Sequence, residues 1–313
     1  MAARSSRSSS RAPLTSTGDT IPEAPITTAF TTIRLEKDRD NPRRITVYLD
    51  EAPSSFIDLD DPLNVGFEYM SIFLAFIEQL PEGPISVAHL GAAGSTMARA
   101  IAHVRPGSRQ IGVDIDGELI DQARLWFDLP RSPHLKLRAG DARKELATLR
   151  DSSQDVIIRD VFADARTPEH LATHEFTELV LSKLKPGGLY LVNCADKPPL
   201  PIARQEVATL LSAAAAFDAR SEHTISSEVA YAAETAIVKG RRFGNLVLVI
   251  ARGAQDDQAG SAFDIESPML ARALRTLAIP AHILIGDDVR QFARTSNVLR
   301  DSAPETQPHV SQS

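Results

Sequence analysis

The sequence predicts an α/β protein built around a doubly wound, mostly parallel sheet, with a small β-module in front of it. Three observations support this prediction. Short runs of branched apolar residues alternate with helix-length segments along most of the chain, which is typical of βαβ units. The connections between these runs are short enough for right-handed crossovers. A glycine-rich turn follows the first buried run, at the position where such folds bind ligands.

The strands and helices of the main domain follow one another from residue 85 onwards. An apolar strand at residues 85–90 ends at a turn formed by residues 91–94. The further elements that the pattern predicts are helix 95–103, strand 110–113, helix 117–127, strand 135–138, strand 155–158, helix 169–184, a turn at 185–188, strand 189–192 and strand 244–251. Apolar strands separated by helices favour a sheet that is covered on both faces.

The remaining segments lie before and after this domain. Residues 44–49 and 55–59 alternate like a small antiparallel hairpin, and residues 67–80 form an amphipathic helix. We divide the chain into a disordered arm at 1–30, a small β-hairpin module at 31–66, an α/β domain at 67–255, a helical extension at 256–295 and a disordered tail at 296–313. The arm is rich in Ser and Arg without an apolar segment, which indicates a solvated tail, or alternatively a transit peptide, rather than a secretory signal.

Composition limits the classes of protein to which the chain can belong. Its 313 residues, 43% of them hydrophobic, can bury a core without disulfides or metals. A formal net charge of -7 disfavours nucleic acid as the main partner, because phosphate binding needs a basic surface. No apolar run approaches the ~20 residues that cross a bilayer, so we expect a protein that is not integral to a membrane. The single cysteine, Cys194, excludes an intramolecular disulfide and agrees with a cytoplasmic location.

The turn Gly91-Ala92-Ala93-Gly94 is the first candidate for ligand binding. Glycine lets the backbone approach a ligand closely, and the helix that follows offers free N–H groups. The segment departs from the dinucleotide fingerprint G-x-G-x-x-G, because Ala93 takes the second glycine position and Thr96 the third. A pyrophosphate ligand is therefore disfavoured. Taken alone, the segment also fits a plain tight turn.

Aspartates follow the next two strands. Asp114 directly follows the strand predicted at 110–113 and lies about 20 residues after the glycine turn. At this position a carboxylate can accept hydrogen bonds from both ribose hydroxyls. Asp116 lies just beyond and is expected to be the N-cap of the next helix. Asp141 follows the third strand, where it can accept from an exocyclic adenine amine, and it also fits an N-cap for the helix that begins at Ala142. Together with the turn, these positions indicate a nucleoside site in the α/β domain.

In order and spacing, five segments resemble the spermidine synthase family over roughly residues 67–251. They read VAHLGAAGSTMARAIA, IGVDIDGELIDQAR, LRAGDARKEL, DVIIRDVFADARTPEHLATHEF and LKPGGLYLVN. The resemblance implies a class I methyltransferase (Rossmann-like) fold and decarboxylated S-adenosylmethionine as the nucleotide. It implies that Asp114 holds the ribose, that Asp141 holds adenine, and that Asp160 is the catalytic aspartate. The cofactor-binding residues implied are Gly91, Ala93, Gly94, Asp114, Ile115, Asp141 and Ala142.

The chain departs from the family pattern near the catalytic position. Its loop reads Asp160-Val161-Phe162-Ala163-Asp164, where the family has an Asp-Ser-Ser-Asp-Pro-like loop. The second loop aspartate, which helps to hold the incoming amine, is therefore displaced to Asp164. Tyr69 echoes the family's Tyr-x-Glu segment and is a candidate to orient the amine or the carboxylate, with simple packing as the alternative. Nucleotide binding thus transfers from the family more firmly than polyamine specificity.

Other reactive side chains do not form recognisable sites. His170 and His174 stand four residues apart, as metal ligands on a helix do, but no cysteine or third histidine accompanies them. We therefore predict no metal site. Cys194 has no basic neighbour in the sequence that would activate it, which favours a buried, inert thiol. Ser95 lacks the G-x-S-x-G elbow of a hydrolase nucleophile.

The function expected from these residues is transfer of an aminopropyl group from decarboxylated S-adenosylmethionine to a small amine, by a cytoplasmic homodimer. Asp160 would accept or relay the proton of the amine. A methyltransferase that uses intact S-adenosylmethionine is the first alternative, because the nucleotide half of the site is shared. A non-catalytic nucleotide-binding protein is the second, because of the altered loop at 160–164. Fold analogy does not separate them.

Overall fold

Two β-sheets, one small and one large, organise the part of the chain that the computed structural model describes, namely residues 21–163, 166–221, 225–254 and 263–302. The small sheet is antiparallel, and its strands lie in the order in which they follow along the chain. They are β1 (Ile26–Thr27), β2 (Thr32–Lys37), β3 (Arg44–Leu49) and β4 (Ala52–Asp58). Its buried face, which includes Ile45 and Ile57, packs with Trp126 and Phe127 in one apolar cluster.

The large sheet has eight strands in the order β12-β10-β11-β9-β8-β5-β6-β7. They are β5 (Ser86–Leu90), β6 (Arg109–Asp114), β7 (Leu135–Ala139), β8 (Gln154–Arg159), β9 (Leu184–Asp196), β10 (Glu228–Glu234), β11 (Gly244–Ala251) and β12 (Ala281–Leu284). The five strands from β9 to β7 are mutually parallel. The pairs β9–β11, β11–β10 and β10–β12 are antiparallel.

Helices cover both faces of the large sheet. They are α1 (Glu68–Glu78), α2 (Thr96–Val104), α3 (Gly117–Trp126), α4 (Ala142–Ala147), α5 (His174–Lys183), α6 (Pro201–Ala219), α7 (Thr235–Val238), α8 (Pro268–Arg275) and α9 (Gly286–Ala293). Val156 and Ile158 of β8 join the cluster that contains α1 and α8, whereas Ile157 joins the cluster that contains α5, α6 and α9. Burial on both faces accounts for the apolar run at residues 156–158 in the middle of this strand. The predicted doubly wound α/β class is confirmed.

Most elements of the parallel half lie within two residues of their predicted bounds. The segment at 169–184 differs, because a short 3-10 turn (Glu169–Leu171) precedes α5, which begins at His174 behind the cap of Thr173. The turn expected at 185–188 is absorbed into β9, whose pairing with β8 shifts register there. The pattern did not predict α6, β10 or β12.

The ends of the chain also differ from expectation. The hairpin module is wrong in extent: the expected hairpin is the β3–β4 pair of a four-stranded sheet. The predicted arm overlaps this sheet, because β1 pairs with β2 and the Thr28 hydroxyl donates to Asp116. Residues 1–20 of that arm lie outside the described residues.

The C-terminal segments correct two further boundaries. The extension at 256–295 adds strand β12 to the large sheet as well as helices. The predicted tail is packed at its start, because the Leu299 N–H donates to Thr209, and both terminal guanidinium nitrogens of Arg143 donate to Asp301, at 2.7 and 2.6 Å. Residues 255–262 and 303–313 lie outside the description. Across the described ranges, no helix combines the length and apolarity needed to cross a bilayer.

Candidate active site

Three elements of the fold converge on Asp160, which follows β8 at the carboxyl edge of the parallel strands. The Tyr69 hydroxyl, from the first turn of α1, donates to Oδ2 of Asp160 at 2.8 Å. The side-chain amide of Asn193, from β9, donates to Oδ1 at 2.9 Å. The Asp160 backbone N–H donates to the carbonyl of Leu90 on β5 at 2.8 Å. The carboxylate is therefore fixed by donors on both of its oxygens.

The surroundings of Asp160 tune both members of the Tyr69–Asp160 pair. Removal from water raises the pKa of Asp160, against the opposing effects of hydrogen bonds from Asn193 and Tyr69 and of the charge of Arg159. Burial and the neighbouring carboxylate raise the pKa of Tyr69 well above its ordinary value. The phenol therefore stays protonated and acts as a donor, while Asp160 is a stronger base than an aspartate in water.

The glycine turn lies against this aspartate. Gly91 has a φ of +87°, and a Cβ at this position would lie 2.0 Å from the Asp160 carbonyl oxygen. Any side chain is thus excluded by both backbone conformation and space. The Gly91 N–H donates to Val113 at the end of β6 at 2.9 Å. The turn is therefore in direct contact with the end of β6 and with the residue that follows β8.

Asp114 lies at the predicted strand end and holds the turn in shape. Its Oδ2 accepts the N–H groups of Ala92 at 3.1 Å and Ala93 at 2.8 Å, and its Oδ1 accepts the N–H of Asp116 at 3.1 Å. Burial raises the pKa of Asp114, and these backbone donors work against that rise. A carboxylate offers about four acceptor positions, so Asp114 retains capacity for a further donor. The adjacent Ile115 is 51% exposed.

Asp141 follows β7 and has two partners. Its Oδ1 accepts the N–H of Lys144 at 2.9 Å, which confirms the predicted N-cap of α4, and its Oδ2 lies 2.7 Å from Nε2 of His170. Burial tends to raise the pKa of Asp141, but the Lys144 N–H and His170 together lower it. The adjacent Ala142 is buried. Asp116 likewise is the N-cap of α3, through the N–H of Leu119.

The two histidines singled out by the sequence have different partners. His170 belongs to the 3-10 turn and contacts Asp141, whereas His174 opens α5 and contacts Ser212 and Glu178. Among the described residues, no three His, Cys, Asp or Glu side chains form a group that could hold a metal ion. Asp164 lies outside the described residues. Cys194 is buried, as predicted, and burial raises the pKa of its thiol, which disfavours the reactive thiolate.

The small sheet contacts the glycine turn through hydrogen bonds that the sequence did not reveal. Ser55 Oγ accepts the N–H of Gly94 at 3.2 Å. Thr96 donates to the Phe56 carbonyl at 2.9 Å, and Arg99 donates to the Asp58 carbonyl at 2.8 Å. The turn is thus supported from one side by β4 and from the other by Asp114.

Two polar groups near the site were also missed. Asn193 is one polar residue in the apolar run LYLVNCA, and a lone amide near the end of a buried strand was the available signal. Arg159 precedes Asp160, is fully buried, and pairs with Glu206 of α6 while donating to the Leu171 carbonyl at 2.8 Å. Nothing in the sequence around Glu206 indicates that pair, because it joins residues 47 positions apart.

The sequence of the chain was compared with family models and with curated proteins. No family model matches the chain. A polyamine aminopropyltransferase from Chromobacterium violaceum is 28% identical over 144 residues, which cover 46% of this chain and 54% of that protein. The chain thus spans about half the length of the first curated relative that it matches.

Solved structures extend the similarity over nearly the whole chain. A probable spermidine synthase from Corynebacterium glutamicum is 33% identical, with a TM-score of 0.77 over 91% of this chain and 98% of that one. A spermidine synthase in complex with the transition-state analogue AdoDATO is 16% identical, with a TM-score of 0.57 over 87% of each chain, and supports the fold alone. The predicted fold class, a class I methyltransferase type with a small N-terminal sheet, is confirmed.

Proposed function

We propose, from the premise that this chain belongs to the spermidine synthase family, that it transfers an aminopropyl group from decarboxylated S-adenosylmethionine to a small amine. The observation that carries the proposal is the Asp160 carboxylate, which Tyr69 and Asn193 hold and whose own backbone carbonyl packs against the turn at Gly91. This arrangement puts a proton acceptor next to the candidate nucleotide site. The enzyme is accordingly a transferase that uses a co-substrate related to S-adenosylmethionine.

The proposed reaction is an in-line displacement. The lone pair of a neutral amine attacks the carbon next to the sulfonium, a C–N bond forms, and the C–S bond breaks with its electron pair passing to sulfur. The leaving group is methylthioadenosine. The new ammonium then loses a proton, for which Asp160 is the proposed acceptor. Its raised pKa suits this role, because a base acts best when its pKa approaches the working pH. Holding both reactants in line supplies much of the remaining acceleration.

The nucleoside half of the proposed site uses the residues predicted for it. Asp114 keeps free acceptor capacity for the ribose hydroxyls, and the exposed Ile115 offers an apolar surface for the adenine ring. Asp141 and Ala142 are proposed on the amine edge of adenine. The backbone at Gly91, Ala93 and Gly94 is proposed to approach the rest of the nucleotide. Contact between Ile115 and the adenine ring is favourable, because it removes the exposed apolar surface of this side chain from water.

Other parts of the proposal come from the sequence. Asp164 is proposed as the second carboxylate that attracts the acceptor amine, and dimer formation and a cytoplasmic location remain predictions. Light scattering on the purified chain tests the dimer.

The proposed function is tested by nucleotide preference and turnover together. Calorimetry with decarboxylated S-adenosylmethionine, intact S-adenosylmethionine and methylthioadenosine should show the first and third binding more tightly than the second. Incubation with decarboxylated S-adenosylmethionine and putrescine should release methylthioadenosine. Tighter binding of the intact nucleotide with transfer of its methyl group would instead identify a methyltransferase. Binding without turnover by any amine would identify a non-catalytic nucleotide-binding protein.

A further inference from the structure

Asn193 carries a buried acceptor atom that the interactions around Asp160 leave unused. The residue is 3% exposed. Its Nδ2 donates to Asp160, whereas its Oδ1 has no hydrogen-bond partner within the part of the chain that the structure describes. An unpaired buried amide oxygen costs about 1–3 kcal/mol. Such an atom in a folded protein requires a reason.

The orientation of this amide follows from its neighbour. An ionised Asp160 only accepts hydrogen bonds, so the NH2 group of Asn193 must face it and the oxygen must face elsewhere. The oxygen and nitrogen of an amide are bonded to one carbon, so Oδ1 lies within about 2.6 Å of Nδ2. It is therefore close enough to the Asp160 carboxylate for one ligand nitrogen to donate to both at ordinary hydrogen-bond lengths.

Apolar residues lie on the face of the sheet to which the Asn193 side chain points, and the Tyr69 side chain lies within hydrogen-bond reach of Asn193. Asn193 points to the face of the sheet that α1 covers, since Leu191 lies on that face and strand residues alternate. The residue paired with Asn193 on β11 is Val247, which belongs to the same apolar cluster. The one hydroxyl hydrogen of Tyr69 is already donated to Asp160. Among the described residues no donor pairs with Oδ1, and a bound molecule can supply one.

We propose that Oδ1 of Asn193 accepts a hydrogen bond from the reacting nitrogen of the acceptor, so that Asp160 and Asn193 together select a primary amine. This inference rests on the proposed function. A neutral primary amine has one lone pair and two N–H groups. The lone pair points at the carbon under attack, one N–H points at Asp160 and the other at Asn193. After the C–N bond forms, Asp160 takes one proton and the Asn193 contact persists.

A secondary amine satisfies only half of this arrangement. It has a single N–H, so donation to Asp160 leaves Oδ1 of Asn193 unpaired. Sites built to receive a hydrogen bond discriminate against ligands that lack the donor, because the polar group of the protein is then buried without a partner. Asn193 would therefore act as a specificity-determining residue that discriminates between primary and secondary amines.

The test compares two acceptors that differ only in this substitution. Release of methylthioadenosine is measured with putrescine and with N,N′-dimethylputrescine, in the unmodified chain and in Asn193→Leu. Leucine has the same number of side-chain heavy atoms, branched at the same carbon, so it creates no room for the methyl group, and its effect on Asp160 applies equally to both acceptors. We expect the unmodified chain to prefer putrescine at least 10-fold in kcat/KM, and Asn193→Leu to reduce that preference to within about 3-fold.

The matched control is Asn245→Ala on β11. Asn245 is half-buried, pairs with Ala195, and lies on the same face as Val247 because it is two residues away along the strand. It should leave the acceptor preference unchanged. Asn193→Ala serves as a second variant if the leucine variant has a lowered melting temperature or fails to bind methylthioadenosine.

The outcomes separate this role from the proposed function. An equal preference for putrescine in the unmodified chain and in both Asn193 variants overturns the role of Oδ1, and so does an unmodified chain that uses both acceptors equally well. In either case aminopropyl transfer itself still stands. Failure of the unmodified chain to release methylthioadenosine with either acceptor rejects the proposed function instead.

Discussion

Replacing Tyr69 by phenylalanine tests whether the phenol acts through Asp160. The substitution removes the hydroxyl that donates to Oδ2 of Asp160 at 2.8 Å and keeps the ring, which contacts Phe67 and Phe73. The hydrogen bond stabilises the ionised form of the carboxylate. Its loss therefore raises the pKa of Asp160 further above the ordinary value, in the same direction as burial.

The size of the effect follows from the strength of one charge-assisted hydrogen bond. Such a bond contributes about 1.5–3 kcal/mol, and one pKa unit corresponds to about 1.36 kcal/mol. The acid limb of the kcat/KM profile should therefore move up by about 1–2 units in Tyr69→Phe. Activity should be lost at a pH where the unmodified enzyme keeps it, and should recover at higher pH, where Asp160 is again ionised. The phenol itself does not titrate in this range, because its pKa is raised well above the ordinary value.

The measurement is the initial rate of methylthioadenosine release across pH, with saturating decarboxylated S-adenosylmethionine and varied putrescine. Tyr48→Phe is the matched control, since the Tyr48 ring belongs to the small sheet and lies under the guanidinium of Arg34. An acid limb that stays in place would refute the proposed coupling. A rate that falls equally at every pH would show that the hydroxyl acts on the amine directly.

Three further substitutions test the neighbouring positions. Asp160→Asn should bind methylthioadenosine within a few-fold of the unmodified chain by calorimetry, yet turn over about 100-fold more slowly; full activity would exclude the proton-acceptor role. Asp114→Ala should weaken methylthioadenosine binding at least 10-fold and also lower the melting temperature by several degrees, because two N–H groups of the turn lose their acceptor. Gly91→Ala should lower both stability and nucleotide affinity, measured by thermal unfolding and calorimetry, far more than Gly83→Ala, which has a φ of +112° but no atom within 4 Å of the added methyl group. Equal effects of the two glycine variants would contradict the role assigned to the close approach to Asp160.

The central parallel strands, such as β5 and β8, were predictable because they are buried on both faces. An uninterrupted apolar run bounded by helices and turns, such as that of β8, is typical of a strand in the middle of an α/β sheet. By contrast, β10 (Glu228–Glu234) is rich in alanine, which is depleted in strands, and β12 (Ala281–Leu284) has four residues. Both are strands because they pair with the edge of a sheet that already exists, and local sequence does not encode that pairing.

In the candidate site, the sequence predicted the aspartates but not their hydrogen-bond partners. Asp114, Asp141 and Asp160 were found because each lies at or just beyond the end of a predicted strand, and parallel strands bring their carboxyl ends to one edge. The partners of these aspartates come from distant parts of the chain. His170 reaches Asp141 from 29 residues away and Asn193 reaches Asp160 from 33 residues away. Those contacts depend on how elements pack, so spacing along the sequence did not predict them.

Docking of the small sheet on the glycine turn couples the stability of the sheet to the order of the turn. Ser55 and the carbonyls of Phe56 and Asp58 hold the segment that begins at Gly94, so a nucleotide that orders this segment also favours the docked sheet. By linkage, the ligand should slow amide hydrogen exchange in β3 and β4. Conversely, an alteration confined to the small sheet should lower the nucleotide affinity measured in a titration, although Gly91, Asp114 and Asp160 are unchanged.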